Sequence, residues 1–174
     1  MAITNITHIR LRNWKNFKQT EAKLDHRVFV IGPNASGKSN FLDVFRFLQE
    51  LATSGLSKAV GARGGVSSIR CLAATSYPNV DIEVTLGSDT GDLWKYELVI
   101  NQDKASRPIV KKEIVTSLVK GQRHLNRPDD GDKTDPERLT QTALEQVAAN
   151  KEFREVSDFF KSISYQHLIP QVVR

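Results

Sequence analysis

A chain of 174 residues, 39% apolar and 26% charged, is long enough for one globular domain with a sizeable core. Its single cysteine, Cys71, excludes an internal disulfide, no run approaches the ~20 apolar residues that span a bilayer, and "MAITNITHIRLRN" lacks the apolar centre of a secretion signal, so the expected compartment is the cytoplasm, with no membrane partner. A net charge of +5 and a pI of about 9.4 permit a nucleic-acid partner without requiring one, because 20 acidic residues are interspersed with the basic ones.

Residues 3–12 predict a first strand, with Ile9 and Leu11 alternating against His8, Arg10 and Arg12, and a second extended piece follows over 19–24. The run "VFVI" at 28–31 is apolar without alternation, the pattern of a strand buried on both faces. From 38 to 52 the period becomes helical: Phe41, Val44, Phe45, Leu48, Leu51 and Ala52 share one face, and the further apolar residues Leu42 and Phe47 predict cover on more than one side. Residues 52–78 are Gly- and Ser-rich and read as a mobile loop.

A β-meander is expected over 79–119, where Val80, Ile82, Val84 and Leu86, then Trp94, Tyr96, Leu98 and Ile100, alternate with polar residues across the turn "GSDTGD". Residues 120–135 predict an exposed polar excursion, and 136–163 helical segments. Asp135-Pro136 has the form of an N-cap followed by Pro at the first helical position, Asn150 is a second cap candidate, and Phe153, Val156, Phe160 and Ile163 lie at helical spacing. The closing "SYQHLIPQVVR" reads as a strand and then a turn at Pro170.

One motif carries chemistry. Gly32–Ser39, "GPNASGKS", matches G-x-x-x-x-G-K-[ST], between the apolar run and the helix. Glycines let the backbone curl so that successive N–H groups face phosphate oxygens, and the helix beginning near Gly37 adds the positive end of its dipole. Gly32, Pro33, Asn34, Ala35, Ser36, Gly37, Lys38, Ser39 and Asn40 are therefore the candidate nucleotide-binding residues. Lys38 supplies a point charge for the β- and γ-phosphates, and Ser39 a hydroxyl ligand for Mg²⁺, an ion that takes few protein ligands. The alternative, an ordinary strand-turn-helix, leaves this spacing unexplained. A small GTPase would need Asn-Lys-x-Asp, and the nearest string, "NKEF" at 150–153, has Phe153 in the Asp position. A small-molecule kinase would continue as alternating βα units, against the meander.

The opening "ITHIRLRNWKNFKQTEAKL…FVIGPNASGKSNFLDVFRFL" resembles the N-terminus of ABC-type ATPases of the SMC, RecF and Rad50 group, and more closely the bacterial AAA-family ATPases related to them, some of which serve in phage defence alongside OLD-like proteins. The resemblance is specific over residues 1–52 and weaker through the meander to "YQHLIPQVVR". It implies an α/β P-loop NTPase fold, the N-terminal lobe of an ABC ATPase head with an antiparallel meander. It also implies ATP and Mg²⁺ as cofactors, and a head-to-head homodimer or larger assembly acting on nucleic acid or an effector protein in defence or repair. Trp14-Lys15 matches the family's aromatic-basic pair, which gives Lys15 a place at the nucleotide phosphates. The family's glutamine, which helps coordinate Mg²⁺ and the attacking water, corresponds to Gln171, with Gln166 as second candidate. Lys38 and Gln171 are thus the catalytic candidates, and Ser39 and Gln171 the metal candidates. Ala35 departs from the family's Gly.

Other family elements have no match: no run of apolar residues ends in Asp-Glu, "LSGG" is absent, and His8, His26, His124 and His167 cannot be assigned as a switch histidine. The resemblance implies that these elements lie beyond Arg174 and that this portion alone does not hydrolyse ATP. Two other readings stand beside an ATPase: a non-hydrolysing ATP-binding scaffold or sensor, and a nucleic-acid binder using the loop arginines Arg63 and Arg70.

Overall fold

The computed structural model describes residues 2–73 and 77–166. Six antiparallel strands form one sheet: β1 (Asn5–Trp14), β2 (Phe17–Lys23), β3 (Val80–Ser88), β4 (Gly91–Gln102), β5 (Pro108–Ser117) and β6 (Gln122–Arg127), in the order β2-β1-β3-β4-β5-β6. One face is solvated and the other carries the core, as the period-two patterns of β3 and β4 require. On the core face, Leu11, Ile82 and Leu98 lie in one cross-strand row that continues through Glu113 to Arg127. A register shift between Ile6 and His8 lets both Ile6 and Ile9 point inward. On the solvated face, Lys95 pairs with Glu83 at 3.0 Å and Lys112 with Glu97 at 2.8 Å across neighbouring strands.

Helix α1 (Lys38–Ser54) lays Val44, Phe47, Leu48, Leu51 and Ala52 on the core. Phe47 is buried while Leu42 is exposed, so the helix is covered over one broad face. The segment expected as a loop instead holds α2 (Leu56–Gly61) and α3 (Val66–Ile69). Leu56, Ala59, Val60, Val66 and Ile69 are all buried there. The glycines that suggested a loop lie at its breaks: Gly55, Gly64 and Gly65 take φ of 87°, 81° and 96°, which single-turn helices need at their ends.

The expected polar excursion at 120–135 is also structured, as β6 and then α4 (Asp130–Thr134). Most of its charges stay exposed, as expected, but Arg127 and Asp132 turn inward. Arg127 donates to both Asp132 oxygens at 2.9 and 2.8 Å and to Glu113 at 3.2 Å, all three residues being buried. The 136–163 region is only partly α-helical: 3-10 turns at Pro136–Thr140 and Lys151–Phe153, then α5 (Arg154–Ser162). Asp135 caps the first turn by accepting from the Glu137 N–H at 3.2 Å. Asn150 makes no side-chain cap bond and donates instead to the Leu144 carbonyl at 2.9 Å. Val156 and Phe160 carry α5 onto the core against α1.

The largest departure from expectation is at 28–31. These residues form no strand, and Phe29 and Ile31 are 83% and 90% exposed. An apolar run states a preference for burial, but burial as a strand needs a neighbouring strand to satisfy its amides. Among the described residues every strand belongs to the antiparallel sheet, and none pairs with 28–31.

Candidate phosphate-binding site

The Gly32–Ser39 loop opens directly into α1. Gly37 is the N-cap residue in the left-handed region, with φ of 96° and no side-chain cap bond, and no acidic residue lies in the first turn. The leading amides of α1 therefore have no side-chain acceptor, a suitable place for an anion. The loop closes tightly: Ser36 N–H donates to the Pro33 carbonyl at 3.3 Å, and a methyl added at Gly32 would lie 2.9 Å from Ser36 Oγ. Lys38 folds back over it, donating to the Gly32 and Pro33 carbonyls at 2.7 Å each. The ammonium is thus held at the loop mouth by weak neutral acceptors that a phosphate could replace. Ala35 occupies the left-handed region at φ 62°, the conformation that a Gly would take more easily.

The β1–β2 hairpin braces the other side. Trp14 pairs with Phe17, so Lys15 and Asn16 form a two-residue turn, with Lys15 at φ 53°. Asn16 accepts a hydrogen bond from Asn40 at 2.9 Å, and a side chain at Gly37 would run into the Asn16 amide. Lys15 N–H donates to the Ile69 carbonyl at 2.6 Å, joining the turn to α3. Lys15, Ser39, Asn40 and Asp43 line one cavity of about 350 Å³. The structure thus places Lys15 on the hairpin turn beside the first turn of α1. Ser39 is exposed at the start of α1, able to offer its hydroxyl to a hydrated Mg²⁺ shared with phosphate. Pro33, Asn34 and Ser36 are exposed along the loop. Gln166 is exposed, and Gln171 lies outside the described residues.

No local residue pattern signals the Arg63 clamp. Arg63 donates to both oxygens of Asp43 at 2.9 and 2.8 Å, and also to Glu50 and to the Ala59 carbonyl. Burial works against its charge, but these acids raise its pKa overall. Its side chain is only 6% exposed, so Arg63 is not available as a free nucleic-acid contact, and that expectation is corrected. Arg70 donates to the Pro78 carbonyl at 3.2 Å. Among the described residues, no group of three or more His, Cys, Asp or Glu is arranged around a metal, and no helix is long and apolar enough to cross a membrane.

Comparison with known proteins matches residues 27–173 to the family described as "AAA domain, putative AbiEii toxin, Type IV TA system". Over 92 residues, 49% of this chain, the sequence is 28% identical to the chromosome partition protein Smc of Methanococcus voltae, and it covers 8% of that protein's length. A solved structure described as "Structural biochemistry of ATP-driven dimerization and DNA stimulated activation of SMC ATPases" aligns with 69% of this chain and 72% of its own, at 15% identity and a TM-score of 0.47.

Proposed function

The chain belongs to this AAA-domain family, and from that premise we propose that it is the ATP-binding portion of an ATPase that couples ATP binding and hydrolysis to action on nucleic acid or a partner protein, in phage defence or DNA repair. The observation that carries the reading is Lys38 poised over the carbonyls of Gly32 and Pro33 at the uncapped start of α1. In this reading the backbone N–H groups from Gly32 to Asn40, all but that of Pro33, which has none, hold the phosphates, Lys38 neutralises the β- and γ-oxygens, and Lys15 approaches from the hairpin. Ser39 and Gln171 hold Mg²⁺, which when bound offsets phosphate charge, and Gln171 orients the attacking water. Positioning and charge stabilisation dominate such chemistry. The working protein is a cytoplasmic homodimer through its ATPase heads, or a larger assembly.

The test is nucleotide titration. The protein should bind ATP-Mg²⁺, and Lys38→Ala should weaken binding by more than about tenfold, the loss of one charge-assisted contact to phosphate. Equal affinity in the two proteins would overturn the assignment.

A second reading is favoured by the sequence itself: with no apolar run ending in Asp-Glu, this chain holds ATP without hydrolysing it. Lys38-dependent phosphate release by these 174 residues would refute that version.

A further inference from the structure

We propose that Asp43 is a positioning residue that holds Lys15 beside the phosphate loop before nucleotide binds and releases it when a triphosphate arrives; this rests on the nucleotide reading above. Asp43 lies one helical turn after Ser39, so its carboxylate and the Ser39 hydroxyl share a face of α1. Lys15 Nζ is 3.8 Å from Asp43 Oδ2, within ion-pair range but beyond hydrogen-bonding distance. The reason is competition. Arg63 already donates to both carboxylate oxygens, in the bidentate geometry that makes such pairs strong. Lys15 is attracted to a carboxylate whose better bonds are taken.

The local charges point the same way. Lys15, Arg46 and Arg63 face Asp43 and Glu50, leaving one positive charge in excess. Arg46 donates to Glu50 at 2.8 Å, and Arg63 is buried between the two acids. Lys15 is the least committed cation of the group and the one on the hairpin turn that braces Gly37 and Asn40. When it moves to phosphate, Asp43 keeps the Arg63 fork and is not left unpaired. Asp43 therefore restrains Lys15 without trapping it.

The experiment titrates N-methylanthraniloyl-ATP with Mg²⁺ into the wild type, Asp43→Asn, Lys15→Ala and the double variant, with Lys38→Ala alongside. Asp43→Asn should tighten binding about two- to fivefold, the range for a partly exposed ion pair, whereas general structural damage would weaken it. Asp43→Glu should return the affinity toward wild type. In the Lys15→Ala background, Asp43→Asn should change nothing. The same gain without Lys15 would mean plain repulsion of phosphate by Asp43, and no gain or a loss with Lys15 present would mean that Asp43 does not restrain it; either overturns the proposal. Should Asp43→Asn not fold, the Lys15 side-chain NMR signals of the wild type decide: they must shift on adding a non-hydrolysable ATP analogue, and unmoved signals overturn the proposal. Failure of the nucleotide reading is distinct, because it shows as wild-type binding that does not depend on Lys38.

Discussion

The Trp14 indole N–H donates to the Asn40 carbonyl at 2.8 Å, joining the end of β1 to the first turn of α1. Trp14 is fully buried and meets Phe47 edge-on, with ring centroids 5.2 Å apart. One side chain thus fixes the angle at which the phosphate loop enters its helix. Trp14→Phe keeps an aromatic ring but loses the donor, worth ~0.5–1.5 kcal/mol, and leaves a void. We expect a total loss of about 1–3 kcal/mol in urea unfolding, with ATP affinity weakened as the loop loses its brace. An unchanged unfolding midpoint would remove Trp14 from this role.

Ala35 is a second point of tension in the same loop. A non-glycine residue in the left-handed region costs about 1–2 kcal/mol, and Ala35 sits there at φ 62°. Replacement by Gly relieves that cost but frees the unfolded chain by roughly 0.4–1 kcal/mol. Ala35→Gly should therefore raise stability by about 0–1 kcal/mol while ATP affinity holds. Ala35→Val should lower it by about 1 kcal/mol or more, since a β-branched residue suits this region worst. Thermal melts of the pair test this, and a less stable Gly variant would contradict it.

The buried ion network predicts a pH dependence with opposing parts. Burial pushes the Glu113 carboxyl upward, against the Ala143 N–H, the Arg127 charge and the Tyr96 hydroxyl. Burial also acts on Asp132, but Arg127 and the Asp129 N–H bring it below its ordinary value. The stability from Asp132 is present above its unfolded pKa of about 3.9 and is lost as pH falls through the depressed folded value. That from Glu113 is complete below its unfolded pKa of about 4.3 and is lost as pH rises through the raised folded value. Glu113→Gln cannot ionise, so its deficit relative to wild type should be larger near pH 4.5 than near pH 7.5. Urea unfolding at the two pH values measures it, and a deficit that grows with pH would reverse the assignment. Arg127→Met should be worse at neutral pH, by about 3–5 kcal/mol, because it leaves buried carboxylates uncompensated.

Much of this architecture was legible because local pattern and tertiary burial agree. Val80, Ile82, Val84 and Leu86 alternate in sequence and all face the core, and the helical spacing after Lys38 marks the buried face of α1. The Gly32–Ser39 loop was legible as a candidate site because its motif spacing lies within eight consecutive residues. Arg63 was not: its partners Asp43 and Glu50 are 20 and 13 residues away, and only the fold places them together. α2 and α3 were hidden because glycine marks both loops and the ends of very short helices. The Glu113–Arg127 pair was not legible either: Arg127 lies in the stretch read as a polar excursion, and local pattern does not say which charge finds a partner across the sheet.

The exposed run at 28–31 gives the most direct test of where sequence and structure disagree. Phe29 and Ile31 lie in water, so changing both to Ser should move unfolding free energy by no more than about 0.5 kcal/mol each. If the run is a buried strand, as its composition predicts, each change should cost about 2–5 kcal/mol, as truncated core side chains do. A contiguous apolar surface also promotes association. Val28, Val30, Leu42, Phe45 and Phe159 line an adjoining cavity of about 380 Å³, which extends the apolar area beyond the run itself. The Ser variants should therefore keep the unfolding midpoint and sediment with less self-association than the parent. A large drop in the midpoint of the monomer would mean that these side chains are packed, and that the segment feeding the phosphate loop is a strand after all.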